Sequence, residues 1–252
     1  MHAQNVGTAS SNYVCADVPE RMLQEARLLY HEKCYGMAEE LLMRVLENGA
    51  TDVQEREAAA LLTLIGYHRN PATATGIIEK YLIDYPDAPE LNRMRALALM
   101  SHYAQGNFSQ VTSGMAEIDP DMLADAERDY LILVYALSLM EEQRYDEAEA
   151  QLAILDVVSD LYDMEATFYA AYANMKTKRY EIAEEGFSKT KDAAQYKRQS
   201  CYYLAEIALA TKEYADAERM AVAYLDEQGR DELTLEMKRI QGEALYGQRR
   251  YL

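Results

Sequence analysis

Tryptophan is absent from this chain, and proline (5) and glycine (11) are scarce among its 252 residues. Few helix breakers leave room for long helices. Extended runs of Val, Ile and Thr are also missing, which removes the usual signal for strands. No stretch of about 20 apolar residues occurs, so no segment reads as a membrane-spanning helix. Cysteine is limited to Cys15, Cys34 and Cys201. An odd count argues against a disulfide framework. A helix between Cys15 and Cys34 would also hold them further apart than the roughly 7 Å a bridge tolerates. Basic residues are outnumbered, 25 against 43 acids, for a net charge of −18 and a sequence pI near 4.6. Such a surface repels phosphate backbones and excludes nucleic acid as an expected partner, while it suits solubility or a basic partner.

Catalytic constellations are equally thin. His2, His31, His68 and His102 are scattered, none at ligand spacing to Cys or Glu. His31-Glu32 lacks the second histidine of a zinc-protease helix. No Gly-rich phosphate loop is present, and no Ser-His-Asp or Cys-His set can be picked out. The acid pairs Glu141-Glu142 and Glu184-Glu185 are adjacent and diverge around a helix. The expectation is a noncatalytic protein with no cofactor and no metal.

What the chain does contain is a repeat. An aromatic residue followed three positions later by Ala occurs at Tyr35/Ala38, Tyr145/Ala148, Tyr180/Ala183 and Tyr214/Ala217. Degenerate copies stand at Pro71/Ala74 and Phe108/Val111, and Tyr251 opens one more. Successive anchors lie 36, 37, 37, 35, 34 and 37 residues apart. That period is the mark of stacked helical hairpins. Period-3.6 apolar patterning places an A helix before each anchor, at 19–32, 55–67, 91–104, 126–141, 162–176, 197–211 and 233–247. B helices follow at 36–47, 72–84, 108–117, 145–158, 180–191 and 214–227. Asn48-Gly49, Tyr85-Pro86-Asp87-Ala88-Pro89, Gly106-Asn107, Asp119-Pro120 and Gln228-Gly229 punctuate the array. Residues 1–16 read as a flexible lead and 17–252 as the repeat array, with the first helix starting at Asp17 or Val18-Pro19.

At these anchors the chain resembles the tetratricopeptide repeat family. That family has a small residue nine positions before each anchor, matched by Ala26, Ala136, Ala171, Ala205 and Gly242, with Leu62 and Leu99 as departures. Its bulky B-helix position, seven after the anchor, is matched by Leu42, Ile78, Met115, Leu152 and Phe187, and more weakly by Ala221. The resemblance implies an all-α fold, a right-handed superhelical solenoid of antiparallel helix pairs, with about six repeats and a final unpaired A helix. It also implies a concave groove for a protein or peptide partner, basic or apolar in character. Carried over by spacing, the groove positions are Arg93, Met100, Tyr103, Tyr130, Leu133, Leu137, Met140, Phe168, Tyr172, Met175, Tyr202 and Glu206. Ala96, Glu165, Gln199 and Leu209 fall at further such positions, and Tyr30 and Tyr246 at the ends of the array.

The implied function is a protein–protein interaction scaffold. Alternatives are a self-assembling module that oligomerises through its open C-terminal end, or a glycan-acting enzyme using Glu165 and Glu206. The array is expected to be cut short at its C-terminal end, because Tyr251-Leu252 opens a B helix. A weaker similarity of residues 85–89 and 104–108 to repeats of exported bacterial envelope proteins suggests a role in envelope assembly. Met1-His2-Ala3-Gln4 resembles the tail of an export signal, which points to the periplasm or cell envelope, with the cytoplasm as alternative.

Overall fold

The computed structural model describes the backbone of residues 9–159, 161–227 and 231–250, with side chains from Val18 onward except at 156 and 158. The signal-like residues 1–4, the side chain of Cys15, the stop at Gly229 and the Tyr251 anchor lie outside the described residues. Among those described, the regular structure is helical throughout. The chain divides into two compact units, residues 1–123 and 124–252.

The first unit holds α1 (Ala9–His31), α2 (Tyr35–Glu47), α3 (Asp52–Arg69), α4 (Thr75–Asp84), α5 (Leu91–Ala104) and α6 (Phe108–Gly114). The second holds α7 (Asp125–Glu141), α8 (Tyr145–Val158), α9 (Asp163–Lys176), α10 (Tyr180–Thr190), α11 (Lys197–Ala210), α12 (Tyr214–Glu227) and α13 (Thr234–Gly247). Odd-numbered helices are A helices, even-numbered ones B helices, and α13 has no B helix after it among the described residues. The all-α fold of paired antiparallel helices therefore matches the sequence reading. One boundary does not. Helix α1 begins at Ala9 and runs through Pro19, where the expected start was Asp17 or Val18. Proline removes one helical hydrogen bond, and the helix continues across that single gap.

The repeat spacing works through burial. The residue three after each anchor is buried in all six pairs: Ala38, Ala74, Val111, Ala148, Ala183 and Ala217. The bulky position seven after the anchor is buried at Leu42, Ile78, Leu152, Phe187 and Ala221, but only half-buried at Met115. Opposite it, Ala26, Ala136, Ala171 and Ala205 let the A and B helices approach closely. In the third pair Leu99 takes the small position, and the B helix compensates with Gly114, where a Cβ would come within 2.6 Å of Leu99.

The A-to-B turns share one backbone solution. The residue two before the anchor is left-handed at Lys33, Gly106, Gln143, Lys178, Lys212 and Arg249, with φ between 58° and 77°. The next residue's N–H then reaches back five positions, as Cys34 to the Leu29 carbonyl (2.8 Å) and Arg179 to that of Asn174 (2.8 Å). This closes the A helix with a Schellman-type cap. Pro71 breaks the pattern. There Asn70 caps a 3-10 turn, Pro71–Thr73, by accepting from the Ala72 N–H at 3.1 Å. The Pro71 carbonyl accepts from Ser101 (2.5 Å) and that of Ala72 from Gln105 (2.7 Å), both side chains of the next repeat.

Ion pairs set about one repeat apart link successive hairpins. They join Arg27 to Glu57, Arg69 to Glu39, Arg179 to Asp146, Arg239 to Glu206, and Arg250 to Glu218. Most are solvent-accessible, so each contributes roughly 0–1 kcal/mol and chiefly favours register.

Candidate functional site

The predicted groove residues divide between the two units. In the first unit they lie on α5. Met100 is buried and accepts from the Tyr67 hydroxyl at 3.5 Å, and Ala96, one turn before it on α5, is buried too. Tyr103 is half-buried and meets Phe108 edge-on at 5.9 Å, while Arg93 is half-buried. The end residue Tyr30 is bonded to His68 at 2.9 Å, so it is tied to α3.

In the second unit α7, α9 and α11 carry the set. Leu133 and Phe168 are buried and belong to the cores. Met100, Leu133 and Phe168, expected as groove lining, are thus buried packing residues here. In the second unit α9 and α11 each pack between their own B helix and the preceding one, so a wider arc of them is covered than groove spacing alone suggests. Phe168 shows this directly: Tyr196, in the turn leading into α11, stacks on its ring at 4.5 Å.

Tyr130, Leu137 and Met140 pack half-buried on the α7–α8–α9 core. Tyr172 and Met175 pack on the core around Phe187, and Tyr202 on the last core. An aromatic string links them. Tyr203 stacks on Phe187 (4.9 Å), meets Tyr172 edge-on (5.4 Å) and lies tilted against Tyr202 (5.2 Å). Burial pushes the Tyr203 phenol up to about 12. Lys176 lies over the Tyr172 ring, 5.0 Å from its centroid.

Two carboxylates lie on this face in different settings. Glu206 accepts from the Tyr202 hydroxyl at 3.2 Å and pairs with Arg239, which also holds Glu236 (2.8 Å) and Glu243 (2.9 Å). Glu165 is half-buried on the first turn of α9 and accepts a hydrogen bond from the Tyr196 hydroxyl. Burial raises its pKa above the ordinary value, with the Tyr196 bond opposing. Tyr130, Tyr162 and Tyr169 all feel its charge, and burial raises each of their pKa values as well. The two acids share no partner among the described residues.

Sequence spacing missed Tyr162, Tyr169, Tyr196 and Tyr203. The helical offset from Glu165 could have found Tyr162 and Tyr169, three before and four after it. Tyr196 sits in a turn outside the repeat pattern, and only the fold brings it to Phe168 and Glu165.

No family model matches the chain, and no curated protein matches it. Among solved structures, it is similar to one reported for the functional characterization of Pseudomonas aeruginosa pilF. The likeness has a TM-score of 0.60 at 15% identity and covers 91% of this chain and 99% of that one. The TPR domain of P58(IPK) aligns at 15% identity over 93% of this chain and 71% of that one, with a TM-score of 0.34. The first of these supports a shared fold of tetratricopeptide-like helix pairs.

Proposed function

We propose that the A-helix face of the second unit is the peptide-binding groove of a noncatalytic interaction scaffold. The observation that carries this reading is the row of half-buried Tyr130, Leu137, Met140, Tyr172, Met175 and Tyr202, one turn or one repeat apart. Partly open aromatic and Met side chains supply adaptable contact area where a partner completes their burial. Glu206, held by Arg239, adds a fixed acceptor at the end of that row. Arg93 and Tyr103 belong to the same reading in the first unit.

The test is affinity capture on the full chain, with Tyr172→Ala/Tyr202→Ala beside the native protein. A partner retained by the native chain and lost by the folded double variant supports the groove. Equal capture by both moves the binding surface elsewhere. The envelope setting belongs to this proposal and is supported by the export-signal-like Met1–Gln4; fractionation of cells expressing the chain tests it.

A second reading has its own observation. Helix α13 leaves Leu235 and Tyr246 exposed at 75% and 71%, and Gly242 is open where its counterparts Ala136, Ala171 and Ala205 are covered. This end could dock another copy. A monomer mass independent of concentration in analytical ultracentrifugation removes that reading.

A further inference from the structure

Several covered acids on the A helices already have a cation. Glu57 has Arg27, Asp129 has Arg128, and Glu206 has Arg239. Glu165 is different. It is half-buried, its one hydrogen bond comes from a phenol, and no ion pair reaches it among the described residues. Arg128, two residues before α7's Tyr130, is committed to Asp125 and Asp129 at 2.9 Å each.

What surrounds Glu165 is aromatic. Tyr162 at the N-cap of α9 and Tyr169 one turn along α9 share its helix face. Tyr130 comes from α7, with its ring 6.2 Å from that of Tyr162. These three rings pack on a single core cluster, and each feels the charge of Glu165. All three stay half-buried, and none bonds through its hydroxyl to a cation among the described residues. A carboxylate in a setting of several aromatic rings suits a protonated amine or guanidinium. The chain uses half of this device nearby, where Lys176 covers Tyr172.

We infer that Glu165 with Tyr130, Tyr162 and Tyr169 forms a cation-recognition subsite that takes an Arg or Lys side chain of a bound peptide. This rests on the groove reading and adds the partner's chemistry to it. The guanidinium or ammonium group supplies the charge Glu165 lacks, and its methylene stem lies against the rings. The chain's net charge of −18 favours the approach of such a basic segment.

The probe is acetyl-Ala-Ala-Arg-Ala-Ala-amide, with its citrulline counterpart as the neutral isostere, titrated into the full chain and followed by amide NMR shifts. The arginine peptide is expected to perturb residues 162–169 and Tyr130, binding about tenfold more tightly than the citrulline peptide. Glu165→Gln, nearly isosteric, removes that difference. Tyr130→Phe retains it, and Tyr130→Ala weakens it. Glu185→Gln, on the exposed face of α10, leaves it unchanged. Equal affinity for the two peptides, no shift at these residues at millimolar probe, or undiminished binding by Glu165→Gln overturns the inference. If any of these occurs while Tyr172→Ala/Tyr202→Ala still loses a captured partner, the groove stands and the cation subsite alone falls.

Discussion

The two units build the same hairpin with different tolerances. In the second unit each A-to-B turn has a left-handed residue two before a tyrosine, and each bulky B-helix position is buried. The first unit repeats this once, at Lys33–Tyr35, and then departs at Pro71 and Phe108. At Pro71 side chains from the next repeat, Ser101 and Gln105, satisfy carbonyls of the turn. At Phe108 the small-and-large pairing is inverted, with Leu99 on the A helix against Gly114 on the B helix. A regular repeat carries its cap and its close contact within itself. A degenerate one borrows hydrogen bonds from its neighbour or exchanges volume across the interface.

The sharpest break of this comparison is at the bulky position. Phe187 is fully buried and Met115 half-buried at the equivalent place. Phe187→Ala is expected to cost about 3–5 kcal/mol and Met115→Ala about 1 kcal/mol, read by urea denaturation with far-UV circular dichroism. Equal costs would mean that the two repeats are packed alike.

Next come the close contacts. A Cβ at Gly186 would lie 2.7 Å from that of Ala171 and 3.4 Å from the Thr167 carbonyl oxygen, with no flexible tip to move aside. Gly186→Ala should cost roughly 1–3 kcal/mol, the range for overpacking. Gly114→Ala meets the end of the Leu99 side chain and should cost less, and Leu99→Ala in the same chain should relieve that clash. The buried hydroxyl of Ser101, shared by Pro71 and Thr75, provides a matched test: Ser101→Ala is expected to cost about 1–3 kcal/mol and to loosen amide protection at Ala72 and Thr73.

The turns give effects of opposite sign. Lys178→Gly and Lys212→Gly replace left-handed residues and should stabilise by about 0.5–1 kcal/mol. Arg69→Gly, at the corresponding place before Pro71, falls inside helix α3 and should destabilise.

The smallest effect is in pH dependence. Burial raises the Glu165 pKa, so the folded state holds its proton more tightly than the unfolded chain. Stability from this group declines as pH rises above the ordinary carboxylate range, while its neighbours Tyr130, Tyr162, Tyr169 and Tyr196 stay neutral. Glu147, bonded to Arg144, is lowered, and its contribution is lost as pH falls below that range. Carboxyl-carbon NMR titration should place Glu165 above Glu147.

Helix periodicity was legible because the side chain three after the anchor is buried in all six pairs and the one seven after it in all but the Met115 pair. Ala38, Ala148, Ala183 and Ala217 are buried for the reason their spacing suggests. The α1 start was less legible, since Pro19 is a weak stop once a helix has begun. The groove was legible only in part. Spacing from the anchor identifies which side of an A helix faces away from its B helix. It does not tell how far the neighbouring turn folds over that side, which is why Phe168 lies under Tyr196 while Tyr172 remains half-open.

The sequence by itself determined the repeat period, the all-α class, the helix pairs and the residues that close them, since these follow from local propensity and a pattern of short range. Tertiary structure alone decided which apolar A-helix residues are core and which are surface, and that Glu165 stands with three tyrosines and no cation among the described residues. Those outcomes depend on contacts between α7, α9 and the turn before α11, whose residues are brought together by folding and not by spacing along the chain.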